Sequence, residues 1–318
     1  MSIIEEASKR LEQLGRAGIQ APGKPEPAGR GKDEERPSPD PIPQQIARAA
    51  EVRQRVRVPA DGAQDKRAES SWSGNAAAGP NYRNIDFARL QANGLITPAV
   101  PNSQLLHEFR VIKRPLIRNA LGRSGMPLTN GNLIMVTSAL PGEGKTFVAL
   151  NLAMSIAMEI DSRVLLVDAD VVVQSIPKLL GIQPAKGLLD VLTGPDLNIG
   201  DVMLRTNIDR LALVLAGTPH RRASELLASD AMAELLNEVS NRYADRIVIF
   251  DSPPLLATTE SRVLASHVGQ VVVVVEAERT THGALEAALS TVESCPVVLT
   301  MLNKAIASEP GSYYGYYG

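Results

Sequence analysis

The sequence predicts an α/β fold for its second half, in which a mostly parallel sheet is flanked by helices on both faces. From about residue 104 onward, short and nearly continuous runs of Val, Ile and Leu alternate with longer stretches of helical period. The first of these runs leads through a glycine-containing turn directly into a helical stretch. With 318 residues, of which 44% are hydrophobic, the chain can bury a sizeable core.

The segment before residue 104 has a different composition. Half of the 22 prolines fall there, mixed with glycine and charges of both signs, so we predict a disordered linker over 21–103. Before it, residues 1–20 contain a predicted short helix with one apolar stripe. The stripe consists of Ile4, Ala7, Leu11 and Leu14. Its opposite face carries both acidic and basic residues, which favours docking to a partner over membrane binding. A helix without a functional contact is the open alternative.

The apolar runs and the periodic stretches between them define a predicted domain over 104–304. Its predicted strands cover 132–138, 163–170, 210–217, 246–252, 270–277 and 296–302. Its main predicted helices cover 107–121, 145–159 and 223–244. The remaining residues, 305–318, are predicted to form a flexible tail.

The first predicted strand runs into Ala-Leu-Pro-Gly-Glu-Gly-Lys-Thr, residues 139–146, which is a P-loop with alanine at the leading glycine position. Gly142 and Gly144 let backbone N–H groups curl round the β-phosphate, and the helix start adds partial positive charge. Lys145 reaches the β- and γ-phosphates, and the Thr146 hydroxyl ligates Mg²⁺. The predicted ATP-binding residues of this loop are Pro141, Gly142, Glu143, Gly144, Lys145, Thr146 and Phe147.

Two further predicted strands end in acidic residues. Asp168 and Asp170 follow one strand, and Asp251 follows another. Because ligands bind at the carboxyl ends of strands in an open α/β sheet, these carboxylates are expected beside the P-loop. We predict that Asp168 and Asp251 hold Mg²⁺ together with Thr146. Capping of the following helices is the alternative role for each aspartate.

The chain ends in a cluster of tyrosines. Aromatic residues make up only 3% of the composition, yet Tyr313, Tyr314, Tyr316 and Tyr317 lie within the last six positions. A tyrosine hydroxyl, with a reference pKa of about 10, is a poor nucleophile unless a base assists it. Asp168 or Asp170 could supply that base next to the γ-phosphate. The four tyrosines are therefore the predicted phosphoacceptors.

Together these features resemble the bacterial tyrosine kinases, or BY-kinases, that act on exopolysaccharide and capsule synthesis. The matching segments are SALPGEGKTFVALNLA (Walker A), VLLVDAD (Walker A′), IVIFDSPPLL (Walker B) and the terminal tyrosines. The opening MSIIEEASKRL and the run EFRVIKRPLIRNA look like the subgroup encoded with exosortase-type polysaccharide loci. The resemblance covers roughly 104–318, with a fold like that of the partition ATPases and deviant Walker motifs.

The resemblance implies roles for matching residues. Lys145 and Thr146 would bind ATP and Mg²⁺, while the three aspartates would assist metal binding and catalysis. It also places Asn303, in the segment MLNK, at the adenine. The family's oligomerisation motif Glu-x-x-Arg-x-x-Arg would correspond to the stretch His107 to Lys113, with Arg110 and Lys113 at the interface of a homo-oligomer. A membrane polysaccharide co-polymerase is the implied partner, and one subunit would phosphorylate the tail of another.

The chain also departs from the family pattern. The basic, proline-bearing stretch that usually follows Asp-x-Asp is replaced by VVVQSIP, residues 171–177. The loop before Ser-Glu-Leu-Leu has HRRA in place of prolines, and the glutamate of the oligomerisation motif is displaced by one position. These departures leave two other classes open: a partition-type ATPase switch and a non-catalytic, ATP-binding regulator of a polysaccharide export complex. The switch class usually carries an additional P-loop lysine, which this loop does not have.

The bulk properties bear on location and partners. The net charge of −2 gives no basic field that would indicate nucleic-acid binding. No apolar run approaches the roughly 20 residues that span a bilayer, and the charged start is unlike a signal peptide. We therefore expect a cytoplasmic protein that reaches the inner membrane through a protein partner.

Overall fold

The computed structural model of the protein describes residues 79–305, except for 101, 102, 124, 126 and 127. These residues all belong to one compact unit of the chain. The predicted N-terminal helix, the predicted linker up to residue 78 and the four terminal tyrosines lie outside the described residues.

The strands of the described residues form one twisted sheet. In chain order they are β1 (Tyr82–Arg83), β2 (Leu133–Ser138), β3 (Arg163–Asp168), β4 (Leu204–Thr206), β5 (Leu211–Val214), β6 (Arg246–Asp251), β7 (Gln270–Glu276) and β8 (Val297–Asn303). Their spatial order is β1-β4-β5-β3-β6-β2-β7-β8. The β4–β5 pair is antiparallel and the other pairs are parallel, so the predicted α/β fold with a mostly parallel sheet is confirmed.

Helices connect the strands and cover both faces. Within the described residues they are α1 (Phe87–Ala92), α2 (Gln104–Ala120), α3 (Lys145–Ala157), α4 (Ser175–Leu180), α5 (Leu188–Thr193), α6 (Ile199–Val202), α7 (Ala223–Leu227), α8 (Asp230–Arg242), α9 (Glu260–Ala265) and α10 (His282–Ser290). Helices α1 to α4 pack on one face, and α5 to α10 pack on the other. None of these described helices is both long enough and apolar enough to cross a bilayer.

Strand alternation supplies a core on each face. Ile134 and Val136 of β2 point to the face that α3 covers, whereas Leu133 and Met135 point to the opposite face. All four side chains are fully buried. Helix α3 is buried almost all round, which agrees with its position between the sheet and α2. The sheet therefore fixes α3, and with it the turn that precedes α3, on a rigid support.

All six predicted strands are present, and their ends differ by at most three residues from the predicted ones. The short strands β1 and β4 were not predicted, because two or three residues give too little alternation to recognise. The predicted helix over 223–244 is two helices, α7 and α8. The chain breaks at Ser229, which adopts an extended backbone and caps α8 through its side chain.

The predicted linker 21–103 extends too far, and this boundary is wrong. Residues 79–100 include β1 and α1, and Ile85, Leu90 and Ile96 are at most 2% exposed within the core beside α3. The backbone N–H of Ile96 also donates to the buried Asn151 side chain of α3 at 2.7 Å. The domain therefore begins before residue 82. Sparse apolar residues in a polar segment looked insufficient for a core, but here they complete the core of the neighbouring sheet.

Candidate nucleotide-binding and catalytic site

The P-loop follows the carboxyl end of β2 and leads into the first turn of α3. Gly142 has a φ of +88° and Gly144 a φ of +97°, so both occupy the left-handed region that the predicted turn requires. The first N–H groups of a helix have no partner within that helix, and they carry partial positive charge. The loop and the start of α3 thus form an anion site of the kind that the sequence predicted.

Residues of the loop and its surroundings hold Glu143 in place. Its side chain is 2% exposed and accepts hydrogen bonds from the Leu140 N–H, at 2.7 Å, and from the Thr280 hydroxyl. Its carbonyl accepts a hydrogen bond from the Asn303 side-chain amide at 2.9 Å. Because Thr280 follows β7 and Asn303 ends β8, two strand ends brace the phosphate loop.

Lys145 and Thr146 lie where the sequence placed them, at the start of α3. The Lys145 ammonium forms a close ion pair with Asp170, whose carboxylate is 2% exposed. The Asp170 carboxylate also accepts a hydrogen bond from the Val173 N–H at 3.4 Å. The Ser175 hydroxyl lies 3.3 Å from the Thr146 hydroxyl. The side chains of Lys145, Thr146 and Asp170 therefore lie close together in the folded chain.

Asp168 and Asp251 end neighbouring strands and are register partners in the β3–β6 pair. Both are fully buried, and within the described residues neither carboxylate has a hydrogen-bond partner. Burial, with the nearby charges of Asp251 and Asp170, raises the pKa of Asp168 well above its ordinary value. Burial raises the pKa of Asp251 to about 7, although the charge of Lys145 opposes this increase. Two adjacent buried carboxyl groups without partners must hold a proton, or must be compensated by a cation when both are ionised.

Asp168, Asp251 and the Thr146 hydroxyl fit the requirements of Mg²⁺. Magnesium is commonly held by one or two carboxylates, with substrate phosphates and water as the other ligands. The described residues contain no cluster of three or more His, Cys, Asp and Glu side chains that could hold a metal alone. A site of this composition would therefore depend on nucleotide phosphates to complete the coordination.

The structure changes the interpretation of two predicted site residues. The Phe147 ring packs against the core beside α3, so only its backbone N–H is available to a phosphate. Lys113 is 3% exposed, and its ammonium donates to the Ser155 carbonyl and pairs with Glu159, each at 2.6 Å. The prediction that Lys113 lies at a subunit interface is therefore wrong. Its lysine stem spans from α2 to α3, which a sequence motif alone cannot reveal.

Several residues of the site escaped the sequence interpretation. Thr280 and Ser175 contact P-loop residues, as described above, and Lys304 donates to the Gly142 carbonyl at 2.8 Å. Glu276 pairs with Lys304 at 3.1 Å. All four are common polar residues without a motif, and only their place at or after the end of a strand gave any signal. Pro141, by contrast, was predicted from the motif and lies exposed within the loop, and its contact with ATP stays a prediction.

Comparisons with known proteins show the family to which the chain is related. Residues 131–306, more than half of the chain, match a family model described as an AAA domain. A tyrosine-protein kinase, YwqD of Bacillus subtilis, is 30% identical over 234 residues, which cover 73% of this chain and 93% of that protein. A putative tyrosine-protein kinase, EpsB of Ralstonia nicotianae, is 33% identical over 225 residues, or 70% of this chain. The crystal structure of the chimerical protein CapA2B2 superimposes with a TM-score of 0.55 and 26% identity, over 68% of this chain and 92% of that one.

The relatives differ in length. The matched region is 28% of the Ralstonia protein, whereas it is nearly all of the Bacillus protein. The similarity to the Ralstonia protein therefore concerns one part of a much longer chain. Activities and partners of that whole protein do not transfer to this chain by similarity alone.

Proposed function

Because the chain belongs to the family of bacterial tyrosine-protein kinases, within the proteins that carry this AAA domain, we propose that it transfers the γ-phosphate of ATP to tyrosines of its own C-terminal tail. The single observation that carries the proposal is the meeting of a braced P-loop with three buried strand-end carboxylates. Two of these carboxylates have no partner among the described residues, and the third pairs with the P-loop lysine. Phosphoryl transfer requires this combination of phosphate binding, charge neutralisation and a proton acceptor.

The ion pair between Lys145 and Asp170 suggests how binding prepares the base. When ATP occupies the loop, its β- and γ-phosphates compete for the Lys145 ammonium. Asp170 then loses its partner and can accept a proton. The tyrosine oxygen attacks the γ-phosphorus while the bond from that phosphorus to the β–γ bridging oxygen breaks. ADP leaves, and the tyrosine proton passes to Asp170.

Asp168, Asp251 and the Thr146 hydroxyl would hold Mg²⁺, which supplies neutralisation of phosphate charge. Burial keeps water away from these two carboxylates and strengthens their attraction to a cation. Lys145 and the loop N–H groups orient the phosphates, and the brace around Glu143 keeps those groups in place. Lys145, the metal-holding residues and the brace around Glu143 therefore act by positioning the phosphates and balancing their charge.

The acceptor is the cluster of Tyr313, Tyr314, Tyr316 and Tyr317, presented to a neighbouring subunit of a homo-oligomer. Arg110, which is partly exposed on α2, is the remaining candidate for the subunit contact. Each phosphate would add about −1.5 to −2 charges to the tail. Repulsion from the phosphates of bound ATP would then expel the modified tail and loosen the assembly.

We assign the kinase to exopolysaccharide or capsule synthesis and export, with a membrane polysaccharide co-polymerase as its activating partner. The resemblance to the bacterial tyrosine kinases of polysaccharide synthesis supports this assignment, together with the similarity to the tyrosine-protein kinases named above. The protein would then work at the cytoplasmic side of the inner membrane, bound through that partner. A pull-down with the cytosolic segment of the co-polymerase, with and without residues 1–20, tests the contact.

The decisive experiment is mass spectrometry of the C-terminal peptide after incubation of the full chain with Mg·ATP. We expect phosphate on one or more of the four tyrosines and none in the Lys145→Met variant. Deletion of 306–318 should abolish phosphotyrosine and leave ATP hydrolysis intact. Size measurement of the phosphorylated chain and of Lys145→Met tests the assembly, and identical sizes would refute its loosening.

The same experiment separates the other two classes. ATP hydrolysis with unmodified tyrosines would indicate a partition-type switch. ATP binding with neither hydrolysis nor phosphotyrosine would indicate a regulator without catalysis. Either result would overturn the kinase proposal.

A further inference from the structure

The carbonyl oxygens of two consecutive P-loop residues are held from the end of β8. The Lys304 ammonium donates to the Gly142 carbonyl at 2.8 Å, and the Asn303 side-chain amide donates to the Glu143 carbonyl at 2.9 Å. A trans peptide unit is planar, with its C=O and N–H on opposite sides. Holding the two carbonyls therefore fixes the directions of the Glu143 and Gly144 N–H groups, which belong to the phosphate-binding part of the loop.

The Lys304 side chain is 45% exposed and has a second partner besides the loop. Its ammonium pairs with Glu276 at 3.1 Å, and the Glu276 side chain is only 13% exposed. The Asn303 carbonyl accepts from the Ala277 N–H at 2.9 Å, which continues the β7–β8 pairing up to the residue before Lys304. Lys304 has a φ of +58°, an uncommon value for a residue with a side chain. Such a conformation persists where the surroundings determine it, and it recurs at functional sites.

A charged donor on a carbonyl strengthens the next N–H as a donor. Hydrogen bonds in a chain polarise one another, and those with an ionised partner are the stronger ones. The Lys304 ammonium therefore makes the Glu143 N–H a better partner for an anion. The contact also adds positive charge beside the loop without placing that charge on the phosphate itself.

We propose that Lys304 is a positioning residue for the phosphates of ATP, which acts through the Gly142 carbonyl and is held by Glu276. The inference rests on the proposed function to the extent that a nucleotide occupies the P-loop. It assigns a role to a residue for which the sequence gave none. A residue that orients N–H groups toward phosphates should affect the affinity for a nucleotide only if that nucleotide has phosphates bound by the loop. A residue at the adenine would affect all adenine nucleotides alike.

The test measures binding of ATP, ADP and AMP to the full chain by displacement of a fluorescent ATP analogue. For Lys304→Met we expect ATP and ADP affinity to fall by about tenfold, the effect of losing one charged hydrogen bond. AMP affinity should change by less than about twofold, because AMP has no β-phosphate for the loop to bind. Lys304→Arg should restore most of the ATP affinity. Lys186→Met, which removes an exposed lysine before α5, is the matched control and should leave all three affinities unchanged.

Glu276→Gln provides a second variant if Lys304→Met does not fold. It keeps the ammonium and weakens its anchor, so we expect the same pattern at about threefold, the size of a weakened surface ion pair. In both variants the KM for ATP should rise more than kcat falls. An equal loss of affinity for all three nucleotides, or no loss for ATP, would overturn the inference.

The outcomes separate this inference from the proposed function. A wild-type chain that binds ATP but forms no phosphotyrosine overturns the kinase proposal, while a phosphate-dependent loss in Lys304→Met supports the inference. Equal ATP affinity in the wild type and Lys304→Met overturns the inference alone. A wild-type chain that binds no nucleotide overturns both.

Discussion

The P-loop and the paired carboxylates at the ends of β3 and β6 lie at the same edge of the sheet, but they meet opposite conditions. In the loop, the Glu143 side chain and carbonyl have partners, as does the Gly142 carbonyl. At the strand ends, both oxygens of Asp168 and both of Asp251 are buried without a partner among the described residues. Neighbouring residues hold the loop in place, whereas the two carboxylates have no partner of this kind.

The phosphate loop is preorganised for binding, whereas the unpaired carboxylates lower the stability of the free protein. A preformed phosphate loop loses little entropy when it binds, because its N–H groups already have their directions. Unpaired buried carboxylates destabilise the free protein and gain most from a cation that arrives with the nucleotide. The loop therefore favours rapid and specific recognition, whereas the carboxylates couple stability to the presence of the ligand.

Asp170 belongs to both regions, because it is a carboxylate after a strand end that pairs with Lys145 of the P-loop. We expect Asp170→Asn to lower the rate of tyrosine phosphorylation by about 10²- to 10⁴-fold, the usual contribution of a general base. ATP affinity should stay within about threefold of the wild type, since the Lys145 ammonium remains available to phosphate. Phosphotyrosine detection and nucleotide titration measure the two effects, with exposed Asp196→Asn as the control. Equal losses of rate and affinity would contradict the role of Asp170 as the base.

A substitution of Asp251 tests whether the unpaired carboxylates lower the stability of the free protein. An acid whose pKa is raised by folding stabilises the folded chain at low pH, and this contribution is lost as the pH rises toward the folded pKa. The free energy of unfolding should therefore fall between pH 4 and pH 7, by about 4 kcal/mol from this group alone. Asp251→Asn should reduce that slope, leaving the part that Asp168 contributes, and should unfold at a higher urea concentration than the wild type at pH 8.

Urea unfolding at several pH values, without nucleotide or Mg²⁺, measures the Asp251 effect. The exposed Asp209→Asn is a matched control, because it removes a carboxylate that already contacts water. A slope that is the same in Asp251→Asn and in the wild type would show that burial does not destabilise this carboxylate. The comparison between the two regions would then fail.

A substitution of Gly144 tests how closely the P-loop packs against the end of β8. A Cβ at this position would lie 2.1 Å from the Asn303 side-chain nitrogen, and the backbone φ of +97° is already unfavourable for alanine. We expect Gly144→Ala to destabilise the chain by about 2 kcal/mol and to weaken ATP binding. Gly122→Ala is the matched control, since Gly122 has a φ of +64° and nothing within 4 Å of its Cβ position. Equal effects would mean that the contact with Asn303 is unimportant.

Thr280 gives the smallest expected effect. Thr280→Val keeps the shape of the side chain but removes the hydroxyl that donates to Glu143. The same hydroxyl accepts a hydrogen bond from the Glu276 N–H at 3.0 Å, so the substitution removes two hydrogen bonds. We expect the free energy of unfolding to fall by about 1.5 kcal/mol, because one of the two hydrogen bonds goes to a carboxylate. Thermal unfolding measures this, and Thr193→Val serves as the control because its hydroxyl bonds only carbonyls of its own helix. If Thr193→Val lowered the free energy of unfolding as much as Thr280→Val, the contact between Thr280 and Glu143 would have no special role in stability.

Residues with a local motif could be predicted, while residues that act across the sheet could not. The P-loop, Asp168, Asp170 and Asp251 follow from strand ends and spacing, and the structure brings them together. Lys113 shows the limit. Its motif suggested an exposed contact, but its ammonium pairs with Glu159 of the segment after α3. Such pairings depend on how α2 lies against α3, and no local pattern specifies that.

The sequence by itself determined the α/β class, the positions of six of the eight described strands, the phosphate loop and the acids at the carboxyl ends of β3 and β6. Hydrophobic period and glycine backbone freedom are local properties, so they can be recognised along the chain. The tertiary structure decided that residues 79–100 belong to the domain and that Lys304 and Thr280 brace the loop. It also decided that two carboxylates are left without partners. These facts depend on burial and on contacts between residues distant in sequence, which arise only when the sheet is assembled.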